Sequence, residues 1–329
     1  MSNVLAVEGL TVNLTTQDRS FDVLSDISLT VAQGEILALV GESGSGKSMT
    51  ALSIMGLLPD PVAAVTSGAI YFDGIDLARA DETTMRKLRG NRIGLIFQEP
   101  MTSLNPTMRV GPQVAEVLEL HKGLKAHEAR ARVEGIFALV RIPDPKSRYD
   151  NYPHQMSGGM RQRVMIAIAL ACDPDLLIAD EPTTALDVTT QSQILDTLRD
   201  LQAELGKATI LITHDLAVVA ETANRVAVMY AGRIVEQTST EQLFATPRHP
   251  YTVGLLHAIP RDEAMPGEGR GRLVEIPGSV PALWNLPKGC AFAPRCSRAT
   301  QQCQDSRPSL VDIQPGHQVA CWHPVEAEI

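Results

Sequence analysis

Positive charge is the clearest shortage in this 329-residue chain: 29 Lys and Arg against 38 Asp and Glu leave a net charge of −9. A surface that neutralises nucleic-acid phosphates normally shows the opposite bias, so no nucleic-acid partner is expected. Long apolar runs are missing too. The longest, VMIAIALAC from Val164 to Cys172, falls far below the roughly 20 residues that a membrane-spanning helix needs. The first residues, MSNVLAVEGLTV, carry neither the basic nor the apolar region of an export signal. The expectation is a soluble or peripheral protein. Aromatic residues are sparse at 4%, so the core implied by 44% hydrophobic content is mostly aliphatic. Cysteine is scarce as well, yet four of the five lie in the last 40 residues. In a reducing compartment such clustering suits metal binding or catalysis better than disulfides.

What is present reads as alternating strands and helices. VLAVEGLTVNL partly alternates, and EILALV is a short β-rich run ending at a glycine. SMTALSIMGLL after Lys47 has helical apolar spacing and stops before Pro59. RIGLIF reads as a strand, and about Pro112 to Val140 reads mostly as helix. RQRVMIAIALACDPDLLIADEP is a helix, a break and a buried strand, with further strands in ATILITHD and RVAVMYAGRIVEQ. This order predicts an α/β domain with a largely parallel sheet. Near Glu236 the composition changes: eleven of the 21 prolines and both tryptophans lie beyond Val235. DEAMPGEGRGR within that stretch reads as a linker. A small, irregular C-terminal domain is expected there.

Three stretches carry chemistry. GESGSGKS, Gly41 to Ser48, follows a strand and precedes a helix, as a phosphate-binding loop must. Its glycines let successive amides face phosphate, Lys47 reaches the β and γ phosphates, and the Ser48 hydroxyl suits Mg²⁺. LLIADEP ends a strand in two carboxylates: Asp180 suits Mg²⁺, and Glu181 suits orienting or deprotonating an attacking water. MSGGMRQR opens a helix with Ser157, Gly158 and Gly159. Locally those residues read equally well as a helix cap or as a second phosphate site.

The order phosphate loop, Gln98, Ser-Gly-Gly, Asp180-Glu181, ALD at Ala185 to Asp187, and His214 resembles the ATP-binding cassette ATPases over about residues 4 to 240. The resemblance implies a P-loop ATPase domain over 1–240: a RecA-like core, an N-terminal antiparallel β subdomain and a helical subdomain at about 99–165. It implies ATP contacts from Gly41, Glu42, Ser43, Gly44, Ser45, Gly46, Lys47, Ser48 and Met49. It implies Mg²⁺ at Ser48, Gln98 and Asp180, and catalysis by Glu181 with Gln98 and the switch residue His214. Ser157, Gly158 and Gly159 would meet the nucleotide of an opposite subunit, and Asp187 would lie in the loop crossing that interface. Met156 and Met160 depart from the commonest signature, which has Leu and Gln there. The aromatic that usually stacks on adenine falls near Asp18, with Phe21 the nearest candidate.

Only 58 residues separate Gln98 from Ser157, which suits a transporter rather than the long inserts of chromosome-organising or repair cassettes. QEPMTSLNPTMRVGPQVAE lies where a cassette grips its permease. PRHPYTVGLLHAIP and the cysteine-rich tail resemble the dipeptide/oligopeptide (and nickel) importer ATPases over the full length. The implied assembly holds two permease subunits, a second homologous ATPase (a heterodimer) and an extracytoplasmic substrate-binding protein, with this chain on the cytoplasmic face of the membrane. A nickel or other small-solute importer is the alternative within transport; a soluble cassette in DNA repair or translation is the alternative outside it.

Cys290, Cys296, Cys303 and Cys321 are spaced C-x5-C-x6-C-x17-C, without the C-x2-C of common zinc ribbons. Four thiolates suit Zn²⁺ or an iron–sulfur cluster, and four buried free thiols are a third possibility. The family resemblance implies a structural [4Fe–4S] cluster within 241–329. Because the phosphate motifs end at His214, that tail is expected to leave ATP binding by residues 1–235 largely independent of it. Cys172 reads as an ordinary buried helix residue.

Overall fold

The structure, a computed structural model, describes residues 3–98, 103–183, 187–258 and 276–326. Alternation governs the amino-terminal sheet. β1 (Asn3–Thr15) buries Leu5, Val7, Leu10 and Val12, and β2 (Ser20–Ala32) buries Leu24, Ile27, Leu29 and Val31. Buried and open positions alternate on either side of irregularities at Val7–Leu10 and Leu24–Ile27, as a sheet with one wet face requires. With β4 (Ala63–Phe72) and β5 (Ile75–Asp76) these strands form an antiparallel sheet in the order β2-β1-β4-β5.

The second sheet is built from continuous apolar runs. β3 (Ile36–Val40), β7 (Leu176–Asp180) and β8 (Ala208–Thr213) are buried along their whole length, because both faces are covered. With β6 (Ile93–Ile96), β9 (Arg225–Tyr230), β10 (Arg233–Ser239), β11 (Val311–Gln314) and β12 (His317–Val319), the order is β11-β12-β10-β9-β3-β8-β7-β6. The five strands from β9 to β6 are parallel. Helix α1 (Lys47–Ile54) packs with the facing sides of both sheets in one core.

Helices α2 (Glu82–Leu88), α3 (Val110–Lys122), α4 (Ala126–Leu139), α5 (Pro145–Arg148) and α6 (Gly158–Leu170) follow. The helix expected over Pro112 to Val140 is two helices. α3 stops at Gly123, whose φ of 64° is the left-handed cap that glycine adopts without a Cβ penalty. Helices α3, α4 and α6 share a second core with the edge of the parallel sheet. After α7 (Val188–Leu205) and α8 (Leu216–Thr222) come α9 (Thr240–Ala245), α10 (Pro250–His257) and α11 (Gln301–Asp305). The proposed linker, at 262–272, lies outside the described residues.

The tail differs from the expected irregular appendage in one respect: β11 and β12 form a hairpin that extends the main sheet, with β12 antiparallel to β10. Four and three residues are too few to show a period in sequence. A fully buried carboxylate fastens this junction. Glu236 on β10 accepts from the backbone N–H of Arg248 (2.8 Å) and of His249 (2.8 Å), and from His317 Nε2 on β12 (2.7 Å). Gln314 donates to His317 Nδ1 at 3.2 Å, which leaves Nε2 as the donor to Glu236. His249 caps α10 by accepting from the Tyr251 N–H at 3.1 Å. Burial pushes its imidazole down to about 4, against the pull of Glu236, so the ring stays a neutral acceptor.

His317→Ala leaves the fully buried Glu236 carboxylate short of a partner. It should lower unfolding free energy by about 2 kcal/mol, in the range for a lost hydrogen bond to a charged group. Urea titration of the full chain checks this; a loss under about 0.5 kcal/mol, the scale of a neutral surface change, would show that the junction does not depend on the pair.

Candidate active site

Parallel pairing brings the expected residues to one edge. The phosphate loop leaves the carboxyl end of β3, Gln98 follows β6, Asp180 ends β7 with Glu181 next, and His214 follows β8. In open α/β sheets this edge is where ligands bind.

In the loop, Gly41 has φ 151°, and a Cβ there would run into the Met229 carbonyl oxygen on the neighbouring strand. Only glycine lets the loop leave β3 so close to β9. Lys47 is buried, and its Nζ donates to the carbonyls of Gly41 (2.7 Å) and Glu42 (3.1 Å). Burial holds this ammonium below its ordinary range, opposed by the carboxylates of Glu181, Asp180 and Glu42.

Asp180 is the mirror case. Burial raises its carboxyl above the usual range, partly offset by a hydrogen bond from Ser48. Its Oδ1 and the Ser45 hydroxyl are buried without a hydrogen-bond partner among the described residues. An orphaned carboxylate oxygen beside a serine hydroxyl and a phosphate loop is a fit for a hard divalent cation such as Mg²⁺.

Gln98, Glu181 and His214 come together. The Gln98 amide donates to Glu181 Oε2 at 3.0 Å, and His214 Nδ1 lies 3.4 Å from Oε1. Both carboxylate oxygens therefore have an orienting neighbour. Glu181 has φ 45°, a region that non-glycine residues rarely occupy, and its N–H donates to the Ile212 carbonyl at 2.9 Å. Strained backbone held by a neighbouring strand is a mark of functional positions. The arrangement can hold a water between a carboxylate and a phosphate-binding loop.

Ser157 stands apart from this group. It caps α6 by accepting from the Met160 N–H at 3.3 Å, and with Gly158 it is exposed. A Cβ on Gly159 would meet the Thr190 side chain on α7, and Asp187 caps that helix through the Thr190 N–H (2.9 Å) and hydroxyl (2.7 Å). These bonds hold the exposed Asp187 carboxyl below its usual range. Met156, one departure from the common signature, is buried, a position where one flexible apolar side chain replaces another. Ala185 and Met101 lie outside the described residues.

The tail touches the phosphate loop. Tyr251 and Arg295 both bond Glu42 inside the phosphate loop. Their contacts lie more than 200 residues away in sequence, so no local signal marks them. Phe21, the nearest adenine-stacking candidate, meets Trp284 edge-on with ring centroids 5.9 Å apart, and Arg19 lies 5.5 Å over the same indole. Trp284 was not singled out by the sequence.

Cys290, Cys296, Cys303 and Cys321 line one cavity with His249, Phe292 and Trp322. Among the described residues no three His, Cys, Asp or Glu are grouped so as to hold a metal ion, so the grouping supports neither zinc nor a cluster. Cys290, Cys296 and Cys321 are half-buried, and the His323 N–H donates to the Cys321 sulfur at 3.4 Å. Burial raises all three thiols, Cys321 to about 11.

Comparison with known proteins agrees with this geometry. Residues 24–184 match the ABC transporter family, and residues 235–303 match the oligopeptide/dipeptide transporter C-terminal region. The dipeptide transport ATP-binding protein DppD of Bacillus subtilis is 48% identical, over 98% of this chain and 95% of its own. The oligopeptide transport ATP-binding protein OppD of Haemophilus influenzae is 48% identical over 98% of both chains. Among solved structures, a dimeric ATP-binding cassette in a post-hydrolysis state, bound to ADP and phosphate, superposes with a TM-score of 0.65 at 28% identity, covering 72% of this chain and 98% of that one. No helix among the described residues is long and apolar enough to cross a membrane.

Glu181→Gln keeps the Gln98-facing shape but removes the charge that can polarise water. ATP turnover should fall at least about 100-fold, the lower end for a lost general base, while ATP affinity stays within about threefold on that account. Single-turnover hydrolysis alongside equilibrium ATP binding checks this; turnover near wild type would remove Glu181 from the reaction.

Proposed function

Because the chain belongs to the peptide-import ATP-binding proteins of the ABC transporter family, we propose that it hydrolyses ATP to drive di- and oligopeptides through a membrane permease. The observation that carries this reading is the meeting of Lys47, Ser48, Asp180, Gln98, Glu181 and His214 at one strand edge.

ATP is the substrate, taken by the amides of the phosphate loop and the N-terminus of α1, whose partial charges suit phosphate. Lys47 exchanges its carbonyl partners for phosphate oxygens. Ser48, Asp180 and Gln98 are the residues to hold Mg²⁺, which when bound supplies positive charge to the phosphate oxygens. Glu181 accepts a hydrogen bond from the attacking water, and Gln98 and His214 fix its two oxygens. The water oxygen bonds to the γ-phosphorus, the bond to the bridging oxygen breaks, and ADP and phosphate leave. His214 and Lys47 face the negative charge that develops on the γ-phosphoryl group.

Ser157 and Gly158, both exposed, with Gly159 beside them, suit a nucleotide held by a second ATPase subunit, with Asp187 at the interface. That reading pairs this chain with a homologous ATPase, two permeases and an extracytoplasmic binding protein. It puts the chain on the cytoplasmic face of the membrane, where ATP is available. For the tail, residues 241–329, the reading is a small domain in which Cys290, Cys296, Cys303 and Cys321 hold a [4Fe–4S] cluster. The cavity that the four cysteines line together supports it. The cluster's chemistry there is cross-linking: four sulfur ligands tie a segment with few long helices.

Two measurements test this. In the reconstituted transporter, peptide-loaded binding protein should raise ATPase activity several-fold, and Lys47→Ala should abolish the response; a stimulated rate that survives Lys47→Ala would place hydrolysis elsewhere. Protein purified without oxygen should be brown and carry roughly four iron and four sulfide per chain, as a Cys₄-ligated cluster does. Colourless protein with one zinc would overturn the cluster.

A further inference from the structure

One residue of the phosphate loop is gripped at every polar group it has. The Glu42 N–H donates to the Tyr251 hydroxyl at 2.9 Å. Its carbonyl accepts from Lys47 Nζ (3.1 Å) and from the Ser45 N–H (3.2 Å). Its carboxylate accepts two bonds from Arg295, 2.7 Å from Nη1 and 3.0 Å from Nη2. Two of these four partners, Tyr251 and Arg295, come from the C-terminal region, and a third is Lys47 itself.

Arg295 is built for this one task. Its side chain is 4% exposed. Besides Glu42, Nε donates to the Pro277 carbonyl (2.9 Å), Nη2 to the Ile276 carbonyl (3.3 Å) and Nη1 to the Tyr230 hydroxyl (3.4 Å). All five guanidinium donors are thereby engaged. The fork matches a carboxylate in a way that lysine cannot. Arg295 directly precedes Cys296, on the turn Ala293–Arg295, so whatever fixes the cysteines also fixes the guanidinium.

The charge logic points the same way. Glu42 puts a carboxylate into a loop that must accept a polyanion. Paired with Arg295 it is neutralised and directed away; unpaired, it would repel phosphate and draw Lys47 toward itself. We propose that Arg295 is a positioning residue for ATP: by clamping Glu42 it couples the cysteine-bearing segment to Lys47, so that this segment sets the chain's affinity for ATP. The proposal rests on the reading of Gly41–Ser48 as the ATP loop and not on what the cysteines bind.

The test is a double-mutant cycle on the full chain, with the KM for ATP and kcat measured in the assembled transporter. Arg295→Met should raise the KM and Kd for ATP about tenfold or more, which is about 1.4 kcal/mol or above. At saturating ATP, kcat should stay within about twofold, because Gln98, Glu181 and His214 keep their contacts; this KM-against-kcat split is not what general unfolding produces. Arg295→Lys should fall between. Glu42→Gln in the Arg295→Met background should recover part of the lost affinity, since it removes the unpaired charge and partners in one network do not add. An unchanged KM in Arg295→Met, or penalties that simply add, would overturn the clamp. Loss of ATP binding in Lys47→Ala with none in Arg295→Met would overturn the clamp alone; no loss in either would remove the phosphate-loop reading with it.

Discussion

Parallel pairing of β6, β7, β8 and β3 is the constraint on which the rest depends. Each strand delivers one element of the site at its carboxyl end, and neighbours are separated by only one strand spacing. Gln98 reaches Glu181 because β6 lies beside β7, and His214 reaches the same carboxylate because β8 lies on its other side. Both faces of these strands are covered, so their register cannot slip without exposing an apolar run. The site's geometry is in this sense a by-product of core packing.

Electrostatics then divides the labour. Lys47 and Asp180 are both buried, and burial works against the charge of each. Two such groups are tolerable side by side because each lowers the cost of the other, and because a triphosphate with its cation can take over both roles. Glu181 sits between two orienting side chains on strained backbone, a cost the fold carries through the bond to Ile212. The C-terminal region closes the circuit from behind. Glu236 anchors it to β10 and β12, and Arg295 and Tyr251 carry its position to Glu42. An ATPase that ends in such a brace has its nucleotide loop tied to a segment outside the phosphate motifs.

Much of this was legible in the sequence, for a physical reason. Gly41 to Ser48 is a contiguous run in which every residue type has a local task, and LLIADEP is a buried strand followed by its carboxylates. Gln98 and His214 meant little alone and gained meaning only from their order along the chain. Three things stayed illegible. The hairpin of β11 and β12 is too short for periodicity, and its pairing partner lies some 80 residues away at Glu236. The Arg295–Glu42 pair spans 253 residues, and neither residue type signals a partner. Trp284 reaches Phe21 by a route that no local pattern encodes. Each is a tertiary contact between segments that are unremarkable by themselves.

The central claim is that hydrolysis at this strand edge moves peptide across a membrane. Uptake of a labelled dipeptide into vesicles carrying the complete transporter, with ATP on the side of this chain and binding protein on the other, tests it most directly. The account predicts accumulation above the external concentration with ATP and Mg²⁺, and none with a non-hydrolysable ATP analogue. Equal accumulation with the analogue, or hydrolysis that proceeds at full rate while no peptide or other solute enters, would contradict it.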